Sequence, residues 1–330
     1  MRAAAIARAR DATIEALRLD PNQPMVRYTL ATIYQSAGKR DEAMEELRKA
    51  LALQPSSDEI HRLLGRIYGD VGRTDEAISE LTTAKKLRPG FWNTYRVLGT
   101  VYFRAARYSE AIAEFTRATE LQSDSSSGFQ MLGTAYHAAG DFDRAVASYA
   151  QANAIRPNAN AWSNIGMIRH TQGRYADAVA AYKQSITLRP REPVTYRNLG
   201  DAYWRLPDAG AAREAYRRAI DLIHAQLEVN PTDAGLLALE AFCEAKLGNG
   251  ARASALIDRA VSLAPTSGEV LYKRALVAAM ANRTTQSLAA LREALAHGAS
   301  RKVAADDDDL RNLQRLPEFQ TLVSPQRAGR

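Results

Sequence analysis

A small residue returns along this chain at intervals of 33 or 34 residues, and that regularity constrains the fold more than any other feature. A tyrosine follows it three residues later in five of six units, and an alanine follows twelve residues later in all six. Self-similarity at such a period is typical of a repeated pair of secondary-structure elements whose neighbours stack to share a core. The recurring small residues are Ala31, Gly65, Gly99, Gly133, Gly166 and Gly200.

Each unit has room for two helices of roughly 14 residues, each with one apolar stripe. We expect Gly99 and its counterparts to be small because a neighbouring helix presses on the backbone there, and a larger side chain would hold the helices apart. A second set of glycines falls where the first helix ends, a position that favours a residue with φ above zero. Proline follows the second helix, since it cannot continue one. The helix-ending glycines are Gly38, Gly72, Gly140, Gly173 and Gly248.

These offsets resemble the tetratricopeptide repeat family. Eight full repeats begin near residues 24, 58, 92, 126, 159, 193, 234 and 268. The resemblance implies an all-α fold, a right-handed superhelical solenoid of helix-turn-helix repeats that ends in a C-terminal capping helix. It covers nearly the whole chain at several fixed offsets, which makes it more specific than a single short motif.

Departures from the period divide the chain into four predicted segments. Residues 1–23 form an N-terminal half repeat or capping helix, and residues 24–233 form repeats one to six. In repeat six the closing Pro231 comes seven residues late, so we expect the second helix to run about 10 Å beyond its neighbours. Residues 234–300 form two divergent repeats that have lost the glycine and tyrosine landmarks. Residues 301–330 form a C-terminal cap and tail.

The stretch "VAADDDDLRNLQRLPEFQTLV" predicts the cap, because apolar residues recur at every third position after the aspartates. The four aspartates suit a helix N-terminus, where their charge meets the helix dipole. They lack the alternating oxygen ligands and the glycine of an EF-hand calcium loop. Residues 215–323 also resemble the C-terminal tails of bacterial multidomain signalling proteins, such as Ser/Thr kinases and winged-helix regulators. This resemblance, with a start halfway through a repeat, leaves open that the chain is the C-terminal portion of a larger bacterial protein.

Composition fits a cytoplasmic protein and excludes some classes of site. No run approaches the ~18 apolar residues of a membrane span. Arginines interrupt any signal-peptide core in the N-terminal "MRAAAIARAR". The single Cys243 excludes an internal disulfide and falls among helix-core positions, where an inert buried thiol is expected. The net charge of +7 permits a polyanionic partner, but the excess of arginine also fits a GC-rich genome.

Signatures of catalysis are missing from the sequence. There is no phosphate-binding loop, no dinucleotide-binding glycine motif, no metalloprotease motif and no kinase signature. His137 and His170 take equivalent positions in adjacent repeats, but stacked helices would place them ~8–10 Å apart, which is long for two nitrogens that share a metal ion. We therefore expect no enzyme activity, no cofactor and no metal.

In the tetratricopeptide repeat family the first helix of each repeat lines the concave surface, and ligands contact its second, fifth, ninth, twelfth and thirteenth residues. Here the twelfth position carries rings in four successive repeats, and the fifth, ninth and thirteenth positions carry arginines. The sixth position carries asparagine in two repeats; repeats like those of the O-linked N-acetylglucosamine transferase hold a peptide backbone there. The candidate partner-binding residues are Arg62, Arg66, Arg96, Phe103, Arg104, His137, Asn164, His170, Arg197, Asn198, Trp204 and Arg205.

The sequence thus predicts a non-enzymatic scaffold that holds an extended peptide or a helix of a partner protein, acidic segments included, in a basic groove lined by rings. Aromatic rings and arginines are enriched where binding energy concentrates. Membrane insertion is not expected. Two alternatives stay open: a regulatory, partner-recruiting portion of a bacterial signalling enzyme, and an RNA-binding solenoid whose rings stack on bases. The helices lack the base code of known helical RNA readers, which counts against the second alternative.

Overall fold

The computed structural model describes residues 2–324, with side chains from residue 6 onward. Within this range the chain forms 19 α-helices and one short 3-10 helix, without a β-strand. The all-α fold predicted from the period is therefore confirmed. Helix α1 spans Arg2–Leu19, and α2 to α17 form eight consecutive helix pairs.

The first helices of the eight pairs start where the sequence period places each repeat. They are α2 (Pro24–Ser36), α4 (Asp58–Asp70), α6 (Trp92–Arg104), α8 (Ser126–Ala139), α10 (Ala159–Thr171), α12 (Pro193–Arg205), α14 (Ala234–Lys246) and α16 (Gly268–Met280).

The second helices pack against the first helices of their own pairs. They are α3 (Arg40–Leu53), α5 (Thr74–Leu87), α7 (Tyr108–Leu121), α9 (Phe142–Ile155), α11 (Tyr175–Leu188), α13 (Ala209–Leu227), α15 (Gly250–Leu263) and α17 (Thr284–Ala296).

The described chain divides into two compact units after residue 157. The first unit holds α1 to α9, and the second holds α10 and everything that follows. Inside each unit, every second helix that has a pair after it also packs against the first helix of that pair. The boundary that the sequence predicts after residue 233 stays a prediction.

Four of the five landmark glycines receive a ring from the second helix of the same repeat, and Gly65 receives the Leu81 side chain instead. A Cβ atom added at Gly99 would lie 2.7 Å from the ring of Phe115, and one added at Gly166 would lie 2.6 Å from the ring of Tyr182. Tyr216 fills the same place beside Gly200. The expectation that a neighbouring helix presses on Gly99 is confirmed, and an aromatic side chain makes the contact.

The glycines predicted to end first helices all have positive φ, from 73° at Gly173 to 89° at Gly248. In the third repeat Ala106 takes this conformation, with a φ of 57°. A side chain with a Cβ is disfavoured there, because the Cβ crowds the following carbonyl oxygen.

Helix α13 has 19 residues, whereas α11 has 14. Five extra residues lengthen a helix by about 7.5 Å, somewhat less than the expected 10 Å, because the chain turns before Val229. On the added length Ile223 is buried and Leu227 is half-buried against the core of the next repeats. Ile223 is fully covered, so the apolar stripe keeps its direction through the extension.

The C-terminal cap is built from short pieces: α18 (Arg301–Asp306), a 3-10 helix (Asp308–Leu310) and α19 (Pro317–Val323). Leu310, Leu313 and Phe319 are buried against α16 and α17 and their neighbours, as a cap requires.

The placement predicted for the four aspartates at a helix N-terminus is correct only in part. Asp307 caps the 3-10 helix by accepting a hydrogen bond from the backbone of Asp309, but Asp306 ends α18. Asp308 and Asp309 lie in the first turn of the 3-10 helix, as predicted, and they also pair with basic side chains. The tail from residue 325 lies outside the described residues.

In the described part of the chain, every helix is too short or too polar to cross a membrane. Cys243 is fully buried, and burial raises the pKa of its thiol to about 12. A thiol with this pKa is protonated at neutral pH and unreactive as a nucleophile.

Candidate functional site

We call the surface made by the second, fifth, sixth, ninth, twelfth and thirteenth residues of the first helices the first-helix face, and describe it in each unit separately. The predicted binding residues of the first unit are Arg62, Arg66, Arg96, Phe103, Arg104 and His137. Those of the second unit are Asn164, His170, Arg197, Asn198, Trp204 and Arg205.

Two arginines of the first unit already have acidic partners. Arg62 donates to Asp58 at 2.9 Å, and its guanidinium lies 4.5 Å from the centre of the Phe91 ring. Arg104 donates to Asp70 of the preceding repeat at 2.7 Å, although its side chain remains 56% exposed. The charges of both arginines are therefore balanced within the chain.

Arg66 and Arg96 have only amide partners within the described residues. Arg66 donates to the Gln35 side-chain oxygen at 2.9 Å, and Arg96 donates to the Asn93 side-chain oxygen at 2.8 Å. Arg96 is half-buried, with its guanidinium 5.9 Å from the centre of the Trp92 ring. Burial, and then the positive charge of Arg66, lower the pKa of Arg96. The two arginines thus hold positive charge that no carboxylate of the described chain neutralises.

The two predicted rings of the first unit rest on rings that begin the next helix. Phe103 packs against Tyr108 with centroids 5.6 Å apart, and His137 packs against Phe142 at 5.8 Å. Both predicted side chains are half-buried. Phe103 and His137 therefore each expose one edge of the ring on the first-helix face. The other edge packs on the next helix and stabilises the turn between the two helices.

The second unit repeats this arrangement once and then departs from it. His170 packs edge-on against Tyr175 at 5.1 Å. Its Nε2 atom is buried and has no hydrogen-bond partner among the described residues, and burial lowers the pKa of the ring. Trp204 stands at the equivalent position, but Ala209 replaces the supporting ring. Trp204 is consequently 45% exposed.

Asn164 and Asn198 are half-buried at the sixth positions of α10 and α12. Neither side-chain amide forms a hydrogen bond with another described residue. Exposed apolar side chains on the same helices include Met167 and Val194. This part of the first-helix face offers free amides and apolar surface together, the combination that an extended backbone with apolar side chains requires.

Arg197 is part of a structural network. It donates to Asp201 at 3.0 Å, and its guanidinium lies 5.4 Å from the centre of the Phe242 ring. Tyr216 donates to the other oxygen of Asp201 at 2.7 Å. Arg197 is therefore already paired with the Asp201 carboxylate, which also accepts a hydrogen bond from Tyr216, in the absence of any ligand.

Arg205 contacts the C-terminal cap, where Asp308 accepts its hydrogen bond as an ion pair. Sequence reasoning missed this contact and two similar ones. Lys246 donates to Asp309, and Tyr272 donates to Asp307 at 2.7 Å. Lys246 and Tyr272 stand at the thirteenth and fifth positions of their helices, so the same positional rule could have found them in the divergent repeats.

Within the described residues, no three His, Cys, Asp or Glu side chains come together in a way that could hold a metal ion. The site is therefore described by its arginines, rings and amides alone. These groups can bind carboxylates, apolar side chains and peptide backbone.

Sequence profiles of the tetratricopeptide repeat family match four stretches of the chain, residues 157–223, 1–67, 62–126 and 127–158. The stretches cover residues 1–223 together, which is well over half of the chain. The chain belongs to the tetratricopeptide repeat family. A comparison with curated proteins gave no match.

Several solved structures share the fold. A tetratricopeptide repeat protein from Parabacteroides merdae aligns with 91% of this chain and 98% of its own, at a TM-score of 0.59 and 13% identity. The C-terminal part of a repeat-containing protein from Cytophaga hutchinsonii aligns with 74% of this chain and 98% of its own, at 0.57 and 17%. The MamA protein aligns with 52% of this chain and 94% of its own, at 0.50 and 22%. Identities this low establish a common fold and leave the ligand undefined.

Proposed function

We propose that the protein is a non-enzymatic, cytoplasmic interaction scaffold that binds an acidic segment of a partner protein on the first-helix face of its first unit. The observation that carries this proposal is the pair Arg66 and Arg96, which have amide partners where the other arginines of this face have carboxylates. A carboxylate of the partner would supply the negative charge that Arg66 and Arg96 lack within the described chain.

The charge argument favours a bound ligand over a merely solvated surface. Water hydrates the charge of an exposed arginine, but Arg96 is half-buried and is repelled by the positive charge of Arg66. Removing water from a charged group is unfavourable unless an opposite charge compensates. A guanidinium pairs with a carboxylate through two parallel hydrogen bonds, which adds orientation to the attraction.

Rings beside the arginine pair would bind the rest of the segment. Trp92 lies under Arg96, and Phe103 presents an edge from the same helix, α6. Aromatic side chains bury large areas at little conformational cost, and with arginine they dominate many interfaces. Under the alternative that the resemblance of residues 215–323 leaves open, a regulatory portion of a signalling protein, the same face would recruit partners for that protein.

Selection from a random peptide display library on the immobilised full chain tests the proposal. We expect the selected sequences to be enriched in Asp and Glu. The affinity of a selected peptide should fall by more than about tenfold in Arg66→Gln/Arg96→Gln, because a charge pair desolvated at an interface contributes well over 1 kcal/mol. Titration calorimetry with the synthetic peptide gives the comparison.

The matched control is Arg107→Gln/Arg117→Gln. These arginines are exposed and pair with Glu110 and Glu120 on a second helix, so the control changes the net charge equally and leaves the face intact. Selected peptides without acidic residues, or equal losses in both variants, would contradict the proposal.

A further inference from the structure

Three consecutive aspartates of the C-terminal cap contact three successive first helices of the second unit. Asp308 pairs with Arg205 at the end of α12, and Asp309 pairs with Lys246 at the end of α14. Asp307 accepts a hydrogen bond from Tyr272 of α16 at 2.7 Å. One acidic residue therefore meets one donor from each helix in turn.

The contact between Lys246 and Asp309 is well shielded from water. The Lys246 side chain is only 9% exposed, and that of Asp309 is 23% exposed. Burial raises the pKa of the Asp309 carboxyl against the opposing effect of Lys246. Asp201 is a further acid near Lys246, at 3.9 Å, and Arg311 is a further base on Asp308.

Covering the end of a repeat array does not require these charges. Leu310, Leu313 and Phe319 already cover the apolar surface of the last repeat. A buried ion pair adds little to the stability of the fold, because the loss of hydration offsets most of the attraction between the charges. Three donors aligned along successive helices are instead suited to a row of carboxylates.

The cap has little helical stability of its own, because it consists of two α-helices of six and seven residues and a three-residue 3-10 helix. Segments of low local stability open without unfolding the rest of a protein. Opening of the cap would therefore leave the helix pairs of the second unit intact.

We propose that Arg205, Lys246 and Tyr272 form a second carboxylate-binding surface, which the chain's own Asp307–Asp309 occupies until the cap opens and an acidic segment of a partner protein takes its place. The cap then acts as an internal competitor. It lowers the apparent affinity of the surface by the fraction of molecules in which it is closed.

A synthetic peptide with the sequence of residues 304–313 serves as the probe, and its fluorescence anisotropy reports binding to the full chain. All proteins carry Arg66→Gln/Arg96→Gln, so the first unit does not contribute. Leu313→Ala removes an anchor of the cap without touching the acidic contacts. We expect it to bind the peptide at least about tenfold more tightly than its parent, because the open fraction rises. Adding Lys246→Ala should remove the gain.

Hydrogen exchange over residues 301–324 shows whether the cap has opened. Faster exchange in Leu313→Ala without tighter peptide binding would overturn the proposal, as would equal binding of a peptide with asparagine at all four aspartates. Self-association of the variant would mean that a second copy of this chain occupies the surface, and it would contradict the proposal that a partner protein binds there.

A second variant covers the case in which Leu313→Ala fails to fold. Asp307→Asn/Asp308→Asn/Asp309→Asn keeps the apolar anchors and removes the competing charges. It should also bind the acidic peptide more tightly than its parent; unchanged binding would refute the competition.

Discussion

At the scale of single residues, the fold depends on glycines that admit a neighbour's ring. Gly99 and Gly133 have no side chain at the point where Phe115 and Tyr149 enter from the second helix. The ring takes the space that a Cβ would need, so the smallest residue of one helix is matched to a large residue of the other.

Gly99→Leu should destabilise the protein by at least about 1–3 kcal/mol, because the new side chain and the Phe115 ring cannot occupy one space. Urea denaturation measures the change in the free energy of unfolding. Gly90→Leu is the control, since a Cβ there meets open space. A midpoint for Gly99→Leu equal to that of the control would mean that the helices separate freely.

Ala106 offers the opposite test. Its φ of 57° is unfavourable for a residue with a Cβ, and glycine occupies the equivalent position in several other repeats. Ala106→Gly should therefore stabilise the protein by roughly 0.5–1 kcal/mol, the relief of strain less the added chain entropy. Ala105→Gly should destabilise it or leave it unchanged, because Ala105 has an ordinary φ of −81°. Thermal melts of the two variants should move in different directions.

At the scale of helix pairs, polar contacts fix the second repeat. His61 of α4 lies with Nδ1 2.5 Å from the Glu80 carboxylate of α5 and with Nε2 2.9 Å from the carbonyl oxygen of Pro55. Both ring nitrogens face acceptors, so the doubly protonated ring suits the site. Glu80 accordingly raises the pKa of His61 above its ordinary value of 6.5.

A raised folded-state pKa stabilises the protein most below pH 6.5, and the contribution disappears as pH rises through the higher folded-state value. The difference in unfolding free energy between wild type and His61→Gln should therefore shrink from mildly acidic to alkaline pH. Glu80→Gln should abolish the same dependence, since it removes the charge partner. A difference that stays constant over this range would show that His61 is neutral in the folded protein.

The sequence could predict what recurs and could not predict what occurs once. Helix starts, landmark glycines and turn glycines repeat at fixed offsets, so each unit supports the assignment of the others. The contact between Lys246 and Asp309 spans 63 residues and has no counterpart in other repeats. The acid partner of Arg205 is also in the cap, outside the repeat period, so the sequence did not show that this arginine is already paired.

At the scale of the whole molecule, fewer basic side chains are free to meet a polyanion than the count of 44 Lys and Arg implies. Many arginines are neutralised locally at the starts of second helices. Arg73–Glu76, Arg107–Glu110 and Arg174–Asp177 are examples, each pair three residues apart. A surface patterned in this way attracts polyanions weakly and without sequence preference.

Binding to RNA should accordingly be weak, alike for RNAs of different sequence, and steeply reduced by salt, as counterion release requires. Fluorescence anisotropy with two unrelated RNAs across a salt series measures it. Trp204→Ala should leave the binding unchanged, because no base stacking is involved. Tight binding that persists at ~200 mM salt would favour an RNA-binding solenoid over a protein scaffold.

Each landmark glycine contacts a side chain of its own repeat, so a whole repeat can be inserted or deleted without breaking such a contact. Gly99 lies on α6 and Phe115 on α7, so a cut between periods separates no such pair. A lineage that gained or lost one period would keep every interlock and change only the number of first helices. If the first-helix face binds a partner as proposed, the length of the bound segment can change by whole repeats, independently of the side chains that decide which partner binds.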